Sequence, residues 1–446
     1  MAIKTDWFTC DGHGEAARCE KLSLGEAAWT PSRRGILVGA ALGLLGWVGR
    51  DSALAQVAIS PGSERKTDVL VTIFLRGGAD GLNMVIPYGE ANYYRRRPSL
   101  GIAPPSDRTT KGRALDLDGF FGLHPALAPL LPVFHSGEMG IVHACGSGDS
   151  SRSHFEAMAA MERGLAREGS GPASGWVARH LLSTEREEDS PLRAIAFADT
   201  MPDSLRGATN AVALTSLSDF KLEADAEFHA QLAMLYRPGK DEVAQAGRQT
   251  LSALDALGRL DVGGYRAAHG ASYPNSDLGN GLRQVACLVK ARLGLEVACL
   301  DKGGWDTHVA QGADTGWQAM LLDDLAKSLA AFTADLGPEM RGVTVVVMSE
   351  FGRRLEENGG LGTDHGRAGP MFLIGETVTG GKVHAKWPGL EDHQLDPTGD
   401  LVVTTDYRSV LGDVLARRMG NSSLDDVFPG ATPGSGYVAT GHGSLI

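Results

Sequence analysis

Val343-Thr-Val-Val-Val-Met348 hands over directly to Ser349-Glu350-Phe351-Gly352. A run this apolar, without polar alternation, suits a strand covered on both faces. A carboxylate just beyond it lies where open α/β sheets carry their sites, outside the carboxyl ends of the strands. The same grammar recurs elsewhere. Leu295-Glu-Val-Ala-Cys-Leu300 leads through a Gly-Gly-Trp turn to Asp306, Thr307 and His308. Val69-Leu-Val-Thr-Ile-Phe-Leu75 ends in Arg76-Gly-Gly-Ala-Asp80-Gly, and Thr363-Asp364-His365-Gly366 follows a glycine-rich loop.

Between these runs the periodicity is helical. Leu321, Leu325, Leu329, Phe332 and Leu336 recur at three- and four-residue spacing, and Gly337-Pro338 closes the pattern. Helices are also predicted over 154–163, 282–293 and around Tyr407 to Leu415. A proline-bearing helix is predicted over 124–135. Further strands are predicted over 140–145, 193–198, 211–215 and 371–374. The stretch around Pro98, Pro104 and Pro105 reads as a surface loop. Residues 219–260 read as a helical insertion broken at Pro238-Gly239. Strand alternating with helix implies an α/β fold, a mostly parallel central sheet with helices on both faces.

The chain has 446 residues, 43% of them hydrophobic, which is enough to fill a large core, and its 59 glycines suit many tight turns. A formal charge of −12 argues against nucleic acid as a partner. Pro31-Ser-Arg-Arg-Gly-Ile-Leu-Val38 has the form of a twin-arginine export signal, and Ala53-Leu-Ala55 that of its cleavage site. Residues 1–55 are therefore expected to be a signal peptide and 56–446 the mature domain. The implied partner is the twin-arginine translocase, and the implied location periplasmic or secreted. The apolar stretch from Ile36 to Val48 is glycine-broken and too short for a stable membrane span. Five cysteines are present, of which Cys10 and Cys19 would leave with the signal. Cys145, Cys287 and Cys299 remain and read as buried small hydrophobes.

Six residues qualify as metal ligands: Asp80, Asp306, His308, Glu350, Asp364 and His365. Carboxylate with imidazole suits one or two divalent ions, with Zn, Mn, Fe and Ca all open. Each residue also has a structural reading. Asp80 before Gly81 suits an Asx turn. Asp306 and His308 suit a hydrogen-bonded turn. Glu350 suits an ion pair with Arg353 or Arg354, and Asp364 suits orienting a neighbouring imidazole. Ser153 is the nucleophile candidate, at a helix start after a Gly/Ser loop, with Ser150, Ser151 and His154 as rivals. Its alternative is the Ser-x-x-Glu capping box with Glu156. Arg152, Arg353, Arg76 and Arg367 are candidates to grip ester oxygens.

Phe74-Leu-Arg-Gly-Gly-Ala-Asp-Gly-Leu-Asn83, Ser153-His-Phe155, Gly303-Gly-Trp-Asp-Thr-His308, Ser349-Glu-Phe-Gly-Arg353 and Gly362-Thr-Asp-His-Gly366 together resemble an exported bacterial family known as a domain of unknown function, DUF1501. The resemblance runs from about Thr67 to the C-terminus. That family is grouped with the alkaline phosphatase and sulfatase superfamily. The resemblance implies an alkaline-phosphatase-like sheet with metals at the strand ends. It implies that Asp80 takes the place of the Asp after the first strand, and Ser153 that of the nucleophile. Asp306 and His308 match an acid-x-x-x-His pair loosely, at shorter spacing. The usual strand-end Asp-His stands here as Glu350-Phe351, one imidazole short. His365, with Asp364 beside it, matches the final His as in the phosphopentomutase branch. The implied activity is hydrolysis of a small anionic phosphate or sulfate ester. A non-catalytic metal-binding or assembly protein of the cell envelope is the alternative.

Overall fold

A computed structural model describes residues 68–184, 190, 192–208, 211–218, 226–237 and 242–431. All belong to the second of two units into which the chain divides, Asp51–Ile446. The expected signal and its cleavage site lie outside the described residues.

Among the described residues, nine strands form the central sheet. In chain order they are β1 (Val69–Leu75), β2 (Met139–Gly146), β3 (Ala194–Phe197), β4 (Ala211–Leu214), β5 (Val297–Lys302), β6 (Val343–Ser349), then β9 (Gly369–Ile374), β10 (Lys382–His384) and β11 (Thr405–Asp406). The strands β7 (Arg353–Glu357) and β8 (Thr363–His365) form a separate antiparallel hairpin. The spatial order is β10-β2-β9-β6-β1-β5-β3-β4, with β11 also on β2. Every pairing is parallel except the two made by β9, so β9 alone runs against the others. This is the mostly parallel sheet that the apolar runs predict.

The strand period of two sends alternate residues to opposite faces. Val71 and Ile73 of β1, Ala298 and Leu300 of β5, and Val345 and Val347 of β6 share one core with Leu282 and Val285 of helix Asp277–Ala291 and Leu325, Leu329 and Phe332 of helix Trp317–Leu336. Leu70, Phe74, Cys299, Val346 and Met348 face the other way. They pack on Trp176 and Val177 of helix Trp176–Ser183 and on Tyr407, Val410 and Leu411 of helix Tyr407–Arg417. Helices thus cover both faces.

Two expectations change. The proline-bearing stretch is a 3₁₀ helix over Pro125–Leu130 followed by a short α-helix, Leu131–His135, because Pro129 and Pro132 cannot supply helix-interior N–H groups. The stretch around Pro98 is not simply surface: it carries helix Ala91–Arg96, and Tyr93, Arg97, Leu100 and Ile102 are buried. In the expected insertion, helices Ala226–Tyr236 and Glu242–Gly258 are present, while the Pro238-Gly239 break lies outside the described residues. Cys145, Cys287 and Cys299 are free and buried. No helix among the described residues is long and apolar enough to cross a membrane.

Candidate metal centre

The carboxyl ends of β1, β2, β5 and β6 lie together at one edge of the sheet, and each feeds a polar segment. After β1 the chain turns through Gly77 at φ 120°, where a Cβ would sit 2.6 Å from the backbone nitrogen of Asp306. Only glycine permits this close approach. After β2, a Gly/Ser loop leads to helix α1 (His154–Glu162), with Ser153 as its N-cap. After β5 come Asp306 and His308, after β6 comes Glu350, and the β7–β8 hairpin returns Asp364 and His365.

The ligand atoms of His154, Asp306 and His365 all lie within 4.8 Å of one another. Asp306 Oδ1 is the focus. It lies 3.2 Å from His365 Nε2, 3.4 Å from His154 Nε2 and 3.1 Å from His308 Nε2. His308 Nε2 and His365 Nε2 face each other at 2.9 Å.

The opposite ring nitrogens are anchored by acceptors. His154 Nδ1 is 2.7 Å from Glu350 Oε1, His308 Nδ1 is 3.1 Å from Asp364 Oδ1, and His365 Nδ1 is 2.8 Å from the Arg152 carbonyl oxygen. An acceptor at Nδ1 requires the proton there. In the neutral tautomer with its proton on Nδ1, each ring turns an unprotonated Nε2 toward one carboxylate oxygen. Lone pairs facing one another repel unless a cation or an added proton lies between them. His154 Nε2 is buried and has no hydrogen-bond partner among the described residues.

The donor set fits a divalent metal. Tetrahedral ligands at metal–nitrogen distances of about 2.0–2.1 Å stand roughly 3.3 Å apart, close to the separations around Asp306 Oδ1. Formal charges agree as well. Asp306, Glu350 and Asp364 against Arg353 leave two negative charges, which one dication balances. Burial opposes ionisation of Asp306, but the Arg353 hydrogen bond and charge outweigh it and bring its pKa down to about 2. The hydrogen bond to Glu350 raises the His154 pKa, while burial lowers that of His365.

The structure brings Asp306, His308 and His365 together, and it brings Asp364 and Glu350 in behind the imidazoles. Asp364 Oδ1 also accepts from Asn358 Nδ2 at 3.0 Å. Glu350 is 1% exposed; its Oε1 also accepts from Gly77 N at 2.8 Å and its Oε2 from Ser349 Oγ at 2.9 Å. It is placed to hold His154. Asp80 is not brought into the cluster. Its carboxylate is buried against Arg97, at 2.6 and 2.9 Å, and accepts from Gln311 Nε2 at 2.7 Å.

Arg353 also has another task than gripping an ester. Its buried guanidinium faces five protein oxygens: the carbonyls of Gly77, Gly78, Thr363 (2.8 Å) and Trp305 (3.1 Å), and Asp306 Oδ1 (2.6 Å). Nε serves Gly78 and Nη1 serves Thr363, while the two Nη2 protons are shared among Gly77, Trp305 and Asp306. The Arg152 guanidinium is bound to Asp400 and Thr398. Its backbone, at φ 56°, offers the carbonyl to His365. Arg76 pairs with Glu162 and Asp301. Ser153 accepts from Glu156 N at 3.5 Å, the serine half of the expected capping box.

His154, from a helix start nearly two hundred residues earlier, brings an imidazole beside Glu350. Sequence reasoning weighed His154 only as a rival nucleophile. The available signal was its position, directly after Ser153 at the end of a strand-and-loop unit.

A family model described as "Protein of unknown function (DUF1501)" matches residues 139–428. No curated protein matches. Similar solved structures include a 2-O GAG sulfatase, at 10% identity over 71% of this chain and 66% of that one, TM-score 0.31. A sulfatase from Pseudoalteromonas sp. is similar at 13% identity over 72% and 64%, TM-score 0.28. The phosphonate monoester hydrolase of Agrobacterium radiobacter is similar at 9% identity over 82% and 78%, TM-score 0.28.

Proposed function

The chain belongs to the DUF1501 family, and on that premise we propose that it is an exported, metal-dependent hydrolase of phosphate or sulfate esters. One observation carries the reading: three imidazole Nε2 atoms, each with its Nδ1 anchored behind it, converge on one carboxylate oxygen at 3.1–3.4 Å. His154, Asp306 and His365 would hold the ion, with His308 beside them. A dication there supplies charge neutralisation for ester oxygens and a lowered pKa for a hydroxyl or water.

The protein's own residues do the rest. Arg353 keeps Asp306 ionised and fixed. Glu350, Asp364 and the Arg152 carbonyl hold the rings in one tautomer. Ser153 is the proposed nucleophile, and the helix N-terminus it caps favours developing negative charge. Export rests on the twin-arginine pattern at Arg33-Arg34.

A second reading is a non-catalytic metal-binding or assembly protein of the envelope. The commitment of the Arg353 and Arg152 side chains to protein oxygens favours it. Elemental analysis of the purified protein, with a panel of phosphate, sulfate and phosphonate esters under Zn²⁺, Mn²⁺ and Ca²⁺, separates the two. The hydrolase reading expects bound metal and turnover that Ser153→Ala abolishes. Bound metal without turnover on any ester supports the second reading, and metal content unchanged by Asp306→Ala with His308→Ala overturns both.

A further inference from the structure

We infer that Gln311 is a positioning residue that sets the spacing between the two ligand-bearing segments, 306–308 and 363–365; this rests on the metal-centre reading above. Gln311 is fully buried, and its side chain is used on three sides. Its Oε1 accepts from Thr307 Oγ1 at 2.9 Å and from Thr363 Oγ1 at 2.7 Å. Its Nε2 donates to Asp80 Oδ2 at 2.7 Å. The reverse amide orientation would aim oxygen at a carboxylate, so the network fixes this one.

The position of the two threonines gives the contact its consequence. Thr307 stands between Asp306 and His308, and Thr363 directly precedes Asp364 and His365. Both hydroxyls are buried and end on the same amide oxygen, which has two lone pairs and fills both. The backbone adds to the clamp. Thr363 N donates to Thr307 O at 3.2 Å, Gln311 N to Leu361 O at 2.9 Å and Ala310 N to Gly360 O at 2.9 Å. Ala310 is held at φ 51°, a conformation that non-glycine residues seldom adopt.

Below the amide, Asp80 is locked to Arg97, which also donates to Asn83 Oδ1 and to the carbonyls of Leu355 and Arg354. The segments after β1, β5 and β6 are thus tied to one buried polar frame, and Gln311 is its junction. In this arrangement Asp80 would not be a ligand; it holds the residue that spaces the ligands. Outer partners that only orient ligands typically change metal affinity 10- to 100-fold.

The test uses the full chain and two readouts. Zn²⁺ affinity is measured by chelator competition, and hydrogen exchange is followed in metal-free protein. Gln311→Ala is expected to weaken Zn²⁺ binding roughly 10- to 100-fold and to raise exchange over 303–312 and 358–366 together. Thr307→Val and Thr363→Val each weaken binding, with no further loss when added to Gln311→Ala. They also decide the matter if Gln311→Ala does not fold. Gln284→Ala is the control. That amide is also buried and accepts from Leu217 N at 2.6 Å, but it makes no bond to the site. It should lower the melting temperature and leave Zn²⁺ affinity unchanged. Wild-type affinity in Gln311→Ala, or additive threonine effects, overturns the inference. Wild-type protein that takes up neither Zn²⁺ nor Mn²⁺ sinks the metal reading instead. The exchange result still shows in that case whether the two segments are coupled.

Discussion

Replacing Glu350 separates a residue that holds a ligand from one that is a ligand. Its carboxylate is fully buried and accepts from His154 Nδ1 (2.7 Å), Gly77 N (2.8 Å) and Ser349 Oγ (2.9 Å). Glu350→Gln keeps the shape. Its carbonyl oxygen can still receive the His154 and Gly77 protons, and its amide can donate to Ser349 Oγ. What is lost is the charge that makes the His154 ring a stronger donor to metal, so affinity should fall about tenfold, or about 1.4 kcal/mol. Glu350→Ala frees the ring and leaves the Gly77 N–H and the His154 Nδ1–H without acceptors. Affinity should then fall about 100-fold, and stability by about 2–4 kcal/mol from two orphaned part-buried donors. Isothermal titration with Zn²⁺, alongside urea unfolding of the metal-free protein, measures both. Wild-type affinity in Glu350→Ala would refute the argument, since His154 would then need no support. Complete loss of metal in Glu350→Gln, as deep as in Asp306→Ala, would refute it from the other side by making Glu350 a direct ligand.

Two further outcomes follow from buried groups. His143 is fully buried, with Nε2 3.0 Å from the Val85 carbonyl oxygen and Nδ1 accepting from Ala144 N at 2.7 Å, so protonation would set one N–H against another. Burial therefore pushes its pKa from 6.5 to about 4. The unfolded chain binds that proton first, so stability is full above pH 6.5 and declines toward pH 4, by about 3 kcal/mol from this group. His143→Gln should flatten that part of the slope in urea titrations at stepped pH, and parallel slopes for the two proteins would count against it. Asp80→Ala strips a fully buried Arg97 of its carboxylate and should cost about 3–5 kcal/mol by urea unfolding, whereas the double replacement of Asp80 and Arg97 by apolar residues should recover part of the loss. An Asp80→Ala protein as stable as wild type would contradict the buried-pair account.

The strands were the most legible part of this protein. Continuous apolar runs at Val69, Leu295 and Val343 are what a doubly covered sheet requires, and helix Trp317–Leu336 was visible from its leucine spacing. The placing of Asp306, His308 and Glu350 at one rim was legible too, because parallel strands in one sheet deliver their carboxyl ends to one edge; His365 joins them from the separate β7–β8 hairpin. The fate of individual side chains was not. Asp80 looked like a ligand because it follows the first strand, yet Arg97 lies folded beneath it within a stretch whose prolines suggested surface. Arg353 looked like a substrate clamp, but five protein oxygens happen to surround it.

The order of residues alone determined that this chain builds an α/β sheet and places acids and imidazoles along one rim, since both follow from local hydrophobic period and from where each run stops. Only the tertiary structure decided which of those groups point inward. A ring's direction depends on what bonds its far nitrogen, and for His154 that partner, Glu350, arrives from another strand 196 residues away. No local pattern encodes a contact of that span.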